Sequence, residues 1–465
     1  MPLFLVDESW PTSVLAHNFW IGASFLLTAM AGFAYARAVS GSERGALVAG
    51  FLLAFCAFRF HHLEHLNLLS FYWIPLAALQ AFRFGFRGTK MRARRIALIV
   101  LTLCGLGAAA TSLTVLTLAG FYLVSWAVCV SLLERNRFEP RFAAIAVIAF
   151  FIGSLPITAP LLANMAPQDI SASRETVIRY SPDLLGFLSP ERSAVFGPLG
   201  KDLLPPLHGA GGRNMYLGLA LLVLAGLGLW PWSRRGASLG ITALLAFLVS
   251  LGPGLWLAGH YHAVPISFYA VLQHVPPFSV NRVPERFILV TLVALVPLAA
   301  IGFERLAAHR KTWPWALAII VMAALELTPA SIRAVPVLMP GVYTELRGDP
   351  HPGAVLELTL QGRYANDFAF HQIAHRRPIM MGPVNRPSGD AVEFLDQGRY
   401  EERLRDPVAF PSALRDLERA GVAFVIWHRE GWEGPAWEIL RTEYAKHAAV
   451  WFQDNDLIVL RLAES

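Results

Sequence analysis

Ten apolar stretches in the first 330 residues limit what this chain can fold into more than any other feature. Each approaches the ~20 residues that a helix needs to cross the hydrocarbon core of a bilayer. Charged residues make up only 15% of the chain, against about 25% in soluble proteins, so most of the sequence is not suited to water. The predicted spans are 14–36, 45–60, 67–83, 95–111, 113–133, 142–164, 214–231, 238–258, 287–306 and 312–329.

The last 135 residues have a different composition, since 34 of them are charged and their net charge is −4. Residues 1–330 contain 38 charged residues with a net charge of +10. The predicted fold class is therefore an all-α polytopic membrane bundle of about ten spans in residues 1–330, followed by a soluble α+β domain in residues 331–465. Within that domain, the residue patterns predict strands at 353–360, 422–428, 449–453 and 457–462, and helices at 410–420 and 435–446.

The basic residues predict how the bundle is oriented. Of the 24 basic residues in residues 1–330, 16 fall in the short gaps after spans one, three, five, seven and nine. Positive charge is retained in the cytoplasm, so these gaps are predicted to lie inside a bacterial inner (plasma) membrane. The loops 165–213 and 259–286, both termini and the α+β domain are then extracytoplasmic. The two loops are predicted to cover the bundle, with a short helix at 181–188 that is capped by Ser181.

An N-terminus outside the membrane needs an explanation, because residues 1–13 lack the basic segment of a signal peptide. One expectation is that an additional span and an outside loop precede Met1. The other is that a short tail of 13 residues crosses the membrane unaided. The sequence leaves both expectations open.

A polar segment at the outer edge of spans two and three is the first candidate site. Polar side chains at membrane depth are costly and usually face a cavity or a ligand. One interpretation is contact with a substrate or a phosphate group, and another is a polar turn at the interface. A third is zinc binding, because His61, Glu64 and His65 match the spacing of inverzincin peptidases. The candidate residues are Arg59, His61, His62, Glu64, His65 and Asn67.

Arg282 and Arg286 form a second candidate site, directly before span nine. A helix that begins at Pro284 would place the two arginines, four residues apart, on one face. Guanidinium groups bind phosphate through paired hydrogen bonds, so this pair suits the phosphate of a lipid. The alternatives are an ion pair between Arg286 and Glu285, or contact of the arginines with lipid headgroups.

The remaining ionisable residues give weaker signals. Asp7 and Glu8 precede span one and fit either exposed loop residues or functional acids, and Glu326 fits an acid that reaches toward the interface. The three cysteines lie within spans and are predicted to be packing residues. No nucleotide-binding or nucleic-acid-binding pattern occurs, so we expect no cofactor and no nucleic-acid partner, although a role for a divalent metal ion stays open.

Eight stretches spread over most of the chain carry a family resemblance: LAHN at 15–18, ARAVSGS at 36–42, GFLLAF at 50–55, the polar segment at 59–69, YLG at 216–218, SLGP at 250–253, PPFSVNRVPERF at 276–287 and AGVAFVI at 420–426. With these stretches, the chain resembles bacterial multi-span membrane proteins of the GT-C glycosyltransferase type, including the uncharacterised YfhO-like group.

The resemblance implies an enzyme that takes a sugar from a polyprenyl-phosphate donor on the outer face of the membrane and transfers it to a cell-envelope acceptor. Its partners would be a lipid-linked sugar and membrane lipids, and the oligomeric state is not indicated. In this family the catalytic acid usually lies in the first outside loop, after an additional first span, and the chain is expected to begin past that loop. Asp7 and Glu8 are the candidate acids in this chain, although no family motif assigns them the role. The alternative is a non-catalytic membrane protein that handles lipid-linked polysaccharide or scaffolds an envelope assembly.

Overall fold

The computed structural model describes most of the chain, in two compact units that are treated separately below. One unit is Asn18–Arg333, and the other groups Ala334–Ser465 with Met1–His17. Three predicted site residues, Asp7, Glu8 and Glu64, lie outside the described residues. The described residues are 10–63, 65–165, 173–191, 193–198, 207–208, 215–264, 267–275, 278, 281–330, 341–358, 371–380, 403–404, 406, 408–429, 437–438, 442, 446 and 448–462.

The first unit is a helical bundle with one small β-hairpin. Its helices are α1 (Trp10–Ser40), α2 (Glu43–Ala54), α3 (Ala57–His61), α4 (Leu66–Leu69), α5 (Trp73–Gly85), α6 (Met91–Thr111), α7 (Leu113–Leu133), α8 (Pro140–Met165), α9 (Arg174–Arg179), α10 (Leu219–Leu229), α11 (Arg234–Ser250), α12 (Phe268–Leu272), α13 (Ile288–Ala307) and α14 (Trp313–Leu327). Single-turn 3₁₀-helices occur at Leu184–Phe187 and Pro284–Phe287. The hairpin pairs β1 (Gly254–Leu257) with β2 (His260–Ala263).

The number of membrane spans differs from the sequence-based prediction. A helix lies in every predicted span, but among the described residues only six helical segments are long and apolar enough to cross a membrane. The other apolar helices are too short; α10, for example, has 11 residues, or about 16 Å, against the ~30 Å of a hydrocarbon core. The six segments are Leu15–Ser40, Glu43–His61, Met91–Thr111, Leu113–Leu133, Pro140–Leu161 and Pro284–Ala307.

One predicted span, 238–258, is too long at its C-terminal end. Helix α11 stops at Ser250, and the chain turns at Gly252, whose φ is +80°, before it enters the hairpin β1–β2. A left-handed φ of this kind suits glycine, which has no Cβ to clash with the backbone. Hydropathy did not reveal this boundary because the strand Gly254–Leu257 is as apolar as the helix that precedes it.

Several helices approach each other so closely that a side chain would not fit between them, and two pairs do so most tightly. A methyl group at Gly105 on α6 or at Gly153 on α8 would lie 1.9 Å from a backbone oxygen of the facing helix. The same distance applies to Gly228 on α10 and Gly302 on α13. Small residues permit such contacts in membrane proteins, where van der Waals packing holds helices together. The pairs α6–α8 and α10–α13 are therefore joined backbone to backbone.

A buried carboxylate, Asp183, connects the two loop regions of this unit. Its Oδ1 accepts hydrogen bonds from the backbone N–H groups of Leu185 at 3.0 Å and Ala258 at 3.2 Å, and its Oδ2 accepts from Gly259 at 2.7 Å and His208 at 3.3 Å. The two loop regions that were predicted to cover the bundle are therefore linked through this carboxylate. The prediction of Ser181 as a helix cap was wrong, because Asp183 caps the 3₁₀-helix Leu184–Phe187.

The second unit is a mixed α/β fold, as predicted. Its helices are α15 (Val342–Gly348) and α16 (Phe410–Arg419), and its strands are β3 (Ala354–Leu358), β4 (Val422–His428), β5 (Ala449–Gln453) and β6 (Leu457–Arg461). The strand order is β3-β4-β6-β5, and only the pair β3–β4 is parallel. All four predicted strands and the helix that ends before Gly421 are confirmed. Most of the predicted helix 435–446 lies outside the described residues.

Side chains alternate between the two faces of this sheet, and each face has its own core. Leu356, Val425 and Trp427 pack with α16 on one face. Val355 and Ile426 pack with α15 and Ala374 on the other face. Helix α15 was not predicted, because its seven residues VYTELRG include Thr and Gly and present only a short apolar stripe.

Candidate functional site

Arg59 is fully buried, with 0% of its surface exposed, although it lies in the predicted ligand-binding segment. Its Nη2 donates to Ser24 Oγ at 2.7 Å, its Nη1 donates to Thr28 Oγ1, and its guanidinium lies 4.0 Å from the centre of the Phe25 ring. Ser24 and Thr28 are one turn apart on α1. Arg59 therefore fastens α3 to α1 and holds the following histidines in place.

His62, three residues further on, is also buried. Its Nδ1–H donates to the Phe58 carbonyl oxygen at 2.8 Å, and its ring stacks on that of Phe58 with centroids 4.0 Å apart. Burial is the main cause that lowers the pKa of His62 to about 3, and the charge of Arg286 contributes to the same shift. His62 is therefore a neutral imidazole at pH 7, with its Nε2 available as an acceptor.

The rings of His61 and His65 lie on either side of His62. Their centroids are 4.9 Å and 5.6 Å from that of His62. Among the described residues, these three histidines do not bring their nitrogens together as a set of metal ligands. Glu64 lies outside the described residues, so the inverzincin interpretation gains no support here. Asn67 is half-buried on the short helix α4, which packs against α7.

Arg286 belongs to the 3₁₀-helix that leads into α13, and it is half-buried. Its Nη1 donates to Thr114 Oγ1, at the start of α7, over a long distance of 3.4 Å. Its Nε is buried and has no acceptor among the described residues. A guanidinium has five N–H donors. The charge of the neighbouring Glu285 also acts on Arg286, and the buried Nε–H is the donor that a ligand could satisfy.

Arg282 lies before the 3₁₀-helix, over the ring of Tyr180 at 5.8 Å. The helix begins at Pro284, as the prediction assumed, but its first turn is a 3₁₀-helix and Arg282 lies before it. The two charges nevertheless interact. Glu285, between them, is buried with 4% of its surface exposed.

Arg286 is near enough to His62 for its charge to act on that ring, and Arg286 and α4 both contact α7. The cluster of His62, Arg282 and Arg286, with His61, His65 and Asn67 beside His62, is called the cationic site below. Sequence reasoning missed Thr114 and Tyr180, which have no motif around them, and the hydroxyl groups on α1 that hold Arg59.

Two buried acids of the bundle, Asp183 and Glu326, serve its structure. Asp183 is saturated by backbone donors, as described above. Glu326 is 3% exposed, and it caps α10 rather than reaching toward the interface. Its Oε2 accepts from Tyr216 Oη at 2.7 Å and from Leu219 N at 3.0 Å, and its Oε1 accepts from Ala220 N at 3.1 Å.

Together, the apolar helices and the cationic site define a multi-pass integral membrane protein with a helical bundle and a mixed α/β region. No protein-family model and no curated protein sequence matches the chain. Its fold is similar to that of ArnT from Cupriavidus metallidurans in the apo state, with a TM-score of 0.51, 13% sequence identity, and coverage of 96% of this chain and 83% of that chain. The likeness is therefore one of fold, to a GT-C membrane glycosyltransferase.

Two further solved structures are similar at lower TM-scores. ArnT from Cupriavidus metallidurans bound to undecaprenyl phosphate gives a TM-score of 0.48 at 13% identity, with coverage of 97% of this chain and 84% of that chain. Arabinofuranosyltransferase AftD from Mycobacteria gives a TM-score of 0.48 at 13% identity, over 89% of this chain. The present chain spans 30% of the length of that AftD chain.

Proposed function

We propose that this protein is a membrane glycosyltransferase that transfers a sugar from a polyprenyl-phosphate donor to a cell-envelope acceptor. It would work on the outer face of a bacterial inner membrane, with its α/β region outside the cytoplasm. The GT-C fold supports the proposal, and the uneven distribution of basic residues supports the orientation. Membership of the YfhO-like group stays a prediction from the sequence.

The observation that carries the proposal is the state of Arg286. A guanidinium at the end of a membrane helix has one long hydrogen bond, a buried Nε without an acceptor among the described residues, and a neutral imidazole nearby. The adjacent Glu285 attracts this charge, but a buried guanidinium N–H without an acceptor is costly in such a place. A phosphate group would supply acceptors in the planar, forked geometry that arginine prefers.

The roles of the other residues follow from this assignment. Arg282 would add a second positive charge to the phosphate. His61, His65 and Asn67, together with His62, would supply ordinary hydrogen bonds to the sugar. Arg59 would act indirectly, by holding α3 against α1, and Glu64 stays a candidate from its position in the same segment.

The proposed reaction is a glycosyl transfer. The acceptor hydroxyl oxygen attacks the anomeric carbon, and the bond between that carbon and the phosphate oxygen breaks. The hydroxyl proton passes to a carboxylate, for which Asp7 and Glu8 are the candidates. The polyprenyl phosphate leaves with the negative charge that develops on its oxygen, and Arg282 and Arg286 stabilise that charge.

The first test is binding of a short-chain polyprenyl phosphate to the purified protein in detergent at fixed salt. Losing a charge-assisted contact costs about 1.5–3 kcal/mol, so we expect Arg286→Ala and Arg282→Ala each to weaken binding about tenfold or more. Arg286→Lys should recover part of the loss, because lysine keeps the charge but not the fork. Arg310→Ala, at an exposed arginine remote in sequence, is the control. Unchanged affinity in both alanine variants would refute the phosphate assignment.

Variants of the two candidate acids distinguish an enzyme from a scaffold. In an enzyme, Asp7→Asn or Glu8→Gln abolishes sugar transfer while lipid-phosphate binding is retained. A protein that binds the lipid but transfers no sugar in any form, including the wild type, would favour the non-catalytic alternative.

A further inference from the structure

A second polar cluster lies in the α/β unit and does not depend on the proposed function. Its centre is Glu357 on β3, with 1% of its surface exposed. Three side chains converge on one carboxylate oxygen, Oε2: His371 Nδ1 at 2.8 Å, His428 Nε2 at 2.8 Å and Tyr343 Oη at 2.9 Å. We call this group the Glu357 cluster.

The fold explains why these residues meet. Strands β3 and β4 are parallel neighbours, and Glu357 and His428 lie at their carboxyl ends, where α/β sheets commonly bind ligands. Glu357 follows Val355 by two residues and His428 follows Ile426 by two, so both side chains belong to the face that packs against α15. Tyr343 comes from α15, and His371 begins a helical turn over the same face.

The hydrogen bonds of the cluster are distributed unevenly. All three donors reach Oε2, while Oε1 of Glu357 is buried and has no partner among the described residues. Asp183, by contrast, shares four donors equally between its two oxygens. A buried carboxylate is more stable when its donors are divided between its two oxygens, because an unsatisfied buried oxygen costs about 1–3 kcal/mol.

A second buried atom near the cluster also lacks a partner. His375 Nδ1 accepts a hydrogen bond from the backbone N–H of Arg377 at 3.0 Å, which places the proton of a neutral ring on Nε2. That Nε2 is buried and has no acceptor among the described residues. The region therefore contains both an unused donor and an unused acceptor, a pattern typical of polar sites that take a ligand.

We propose that Glu357, His371 and His428 bind one divalent transition-metal ion, with Zn²⁺ as the expected ion. Their ligand atoms all lie within 4.8 Å of one another. Two imidazoles and one carboxylate form a ligand set that zinc enzymes use, and imidazole ligands exclude Mg²⁺ and Ca²⁺ as the preferred ions.

The geometry needs only a small adjustment. With metal–ligand distances of about 2.0–2.2 Å in a tetrahedron, neighbouring ligand atoms are about 3.3 Å apart. The two distances of 2.8 Å to Oε2 must therefore open by about half an ångström, with side-chain rotation and no change in the strands. Tyr343 keeps its hydrogen bond to the carboxylate and orients it. The fourth position takes water or a small anion.

The test uses the full-length protein in detergent, after removal of metal with a chelator. Co²⁺ titration, followed by its visible absorption, and competition with Zn²⁺ should show one site per chain. Zn²⁺ should also raise the melting temperature, because an ion that binds only the folded state stabilises it. We expect Glu357→Gln and His428→Gln to weaken binding about 100-fold or more, and Tyr343→Phe about tenfold.

The matched control is His351→Gln, a histidine of the same unit whose ring contacts Phe424 and which is outside the cluster. It should bind Zn²⁺ as the wild type does. The proposal is overturned if the wild type shows neither a Co²⁺ signal nor stabilisation by Zn²⁺. It is also overturned if Glu357→Gln and His428→Gln bind as tightly as the wild type, since the metal would then use other residues. If both variants fail to fold, the wild-type titration still decides.

Discussion

The two units of this protein bury carboxylates in opposite ways. In the bundle, Asp183 and Glu326 take most of their hydrogen bonds from backbone N–H groups. In the α/β unit, Glu357 accepts hydrogen bonds from two imidazoles and a phenol of the described residues. Backbone donors cannot leave or change their charge, so such a carboxylate fixes the chain around it. An imidazole nitrogen can bind a metal ion in place of a proton, so a carboxylate that is surrounded by imidazoles suits a metal-binding site.

The gap between α7 and α8 is predicted to be cytoplasmic and the α/β unit extracytoplasmic. A cysteine at one of these places should therefore react with an impermeant thiol reagent, and a cysteine at the other should not. Asn136 is exposed between α7 and α8, in a gap predicted to be cytoplasmic, and Gly348 is exposed at the end of α15, where an added Cβ meets no atom within 4 Å. In intact cells, a membrane-impermeant thiol reagent should label Gly348→Cys and spare Asn136→Cys.

The background for this experiment is simple, because the three native cysteines are buried. Permeabilised cells provide the control, in which both positions should react. Labelling of Asn136→Cys in intact cells would contradict the predicted orientation.

The next largest effect is a loss of stability on replacing Asp183, whose carboxylate accepts only backbone hydrogen bonds among the described residues. Asp183→Ala leaves four backbone donors without their acceptor and frees two loop regions from each other. We expect a loss of about 3 kcal/mol, or roughly 5–10 °C in the melting temperature of the purified protein. Asp183→Asn, which keeps one acceptor oxygen, should lose less. Glu175→Ala, an exposed acid on α9, should melt like the wild type, and equal melting of Asp183→Ala would refute the structural role.

The last predicted effect is a pH dependence that originates in the cationic site and is absent at neutral pH. The folded state lowers the pKa of His62 from 6.5 to about 3, so the unfolded chain binds a proton first as the pH falls. The stability from neutral His62 is therefore fully present above pH 6.5 and declines below it, by up to about 1.4 kcal/mol per pH unit.

His62→Asn removes this titration and keeps a side-chain N–H that can reach the Phe58 carbonyl oxygen. Its melting temperature should vary less than that of the wild type between pH 6.5 and pH 4. His309→Asn, at an exposed histidine, serves as the control. An unchanged pH profile in His62→Asn would show that other groups cause the dependence.

The sequence predicted the parts of the fold that depend on local pattern. Apolar stretches located the bundle helices, and alternation located Val422–His428 and the hairpin Ala449–Gln453 with Leu457–Arg461. Hydropathy overestimated the number of full spans, because it records composition and not where a helix stops. Gly252 ends one apolar stretch by its backbone conformation, and no hydropathy scale contains that information.

The candidate sites also fall into those that local sequence reveals and those that only the fold reveals. Clusters that are local in sequence, such as His61 to Asn67 and Arg282 with Arg286, could be identified, although their geometry could not. The Glu357 cluster could not be identified, because His371 and His428 lie 14 and 71 residues from Glu357 and no motif joins them. The parallel pairing of β3 with β4 brings them together, and that pairing is a property of the whole unit.

The glycine contacts of the bundle have a mechanical consequence. In α6–α8 and α10–α13, a backbone oxygen occupies the space that a side chain would otherwise fill, so neither pair can slide or rotate without a collision. Each pair is a stiff element. The path from α2 to α4 consists of shorter pieces of 12, 5 and 4 residues joined by non-helical links, yet it is also held. A methyl group at Gly45 on α2 would lie 2.2 Å from the Ala300 oxygen of α13, and Arg59 fastens α3 to α1. His61, His62 and His65 therefore lie on short pieces of chain that a stiff frame holds in position.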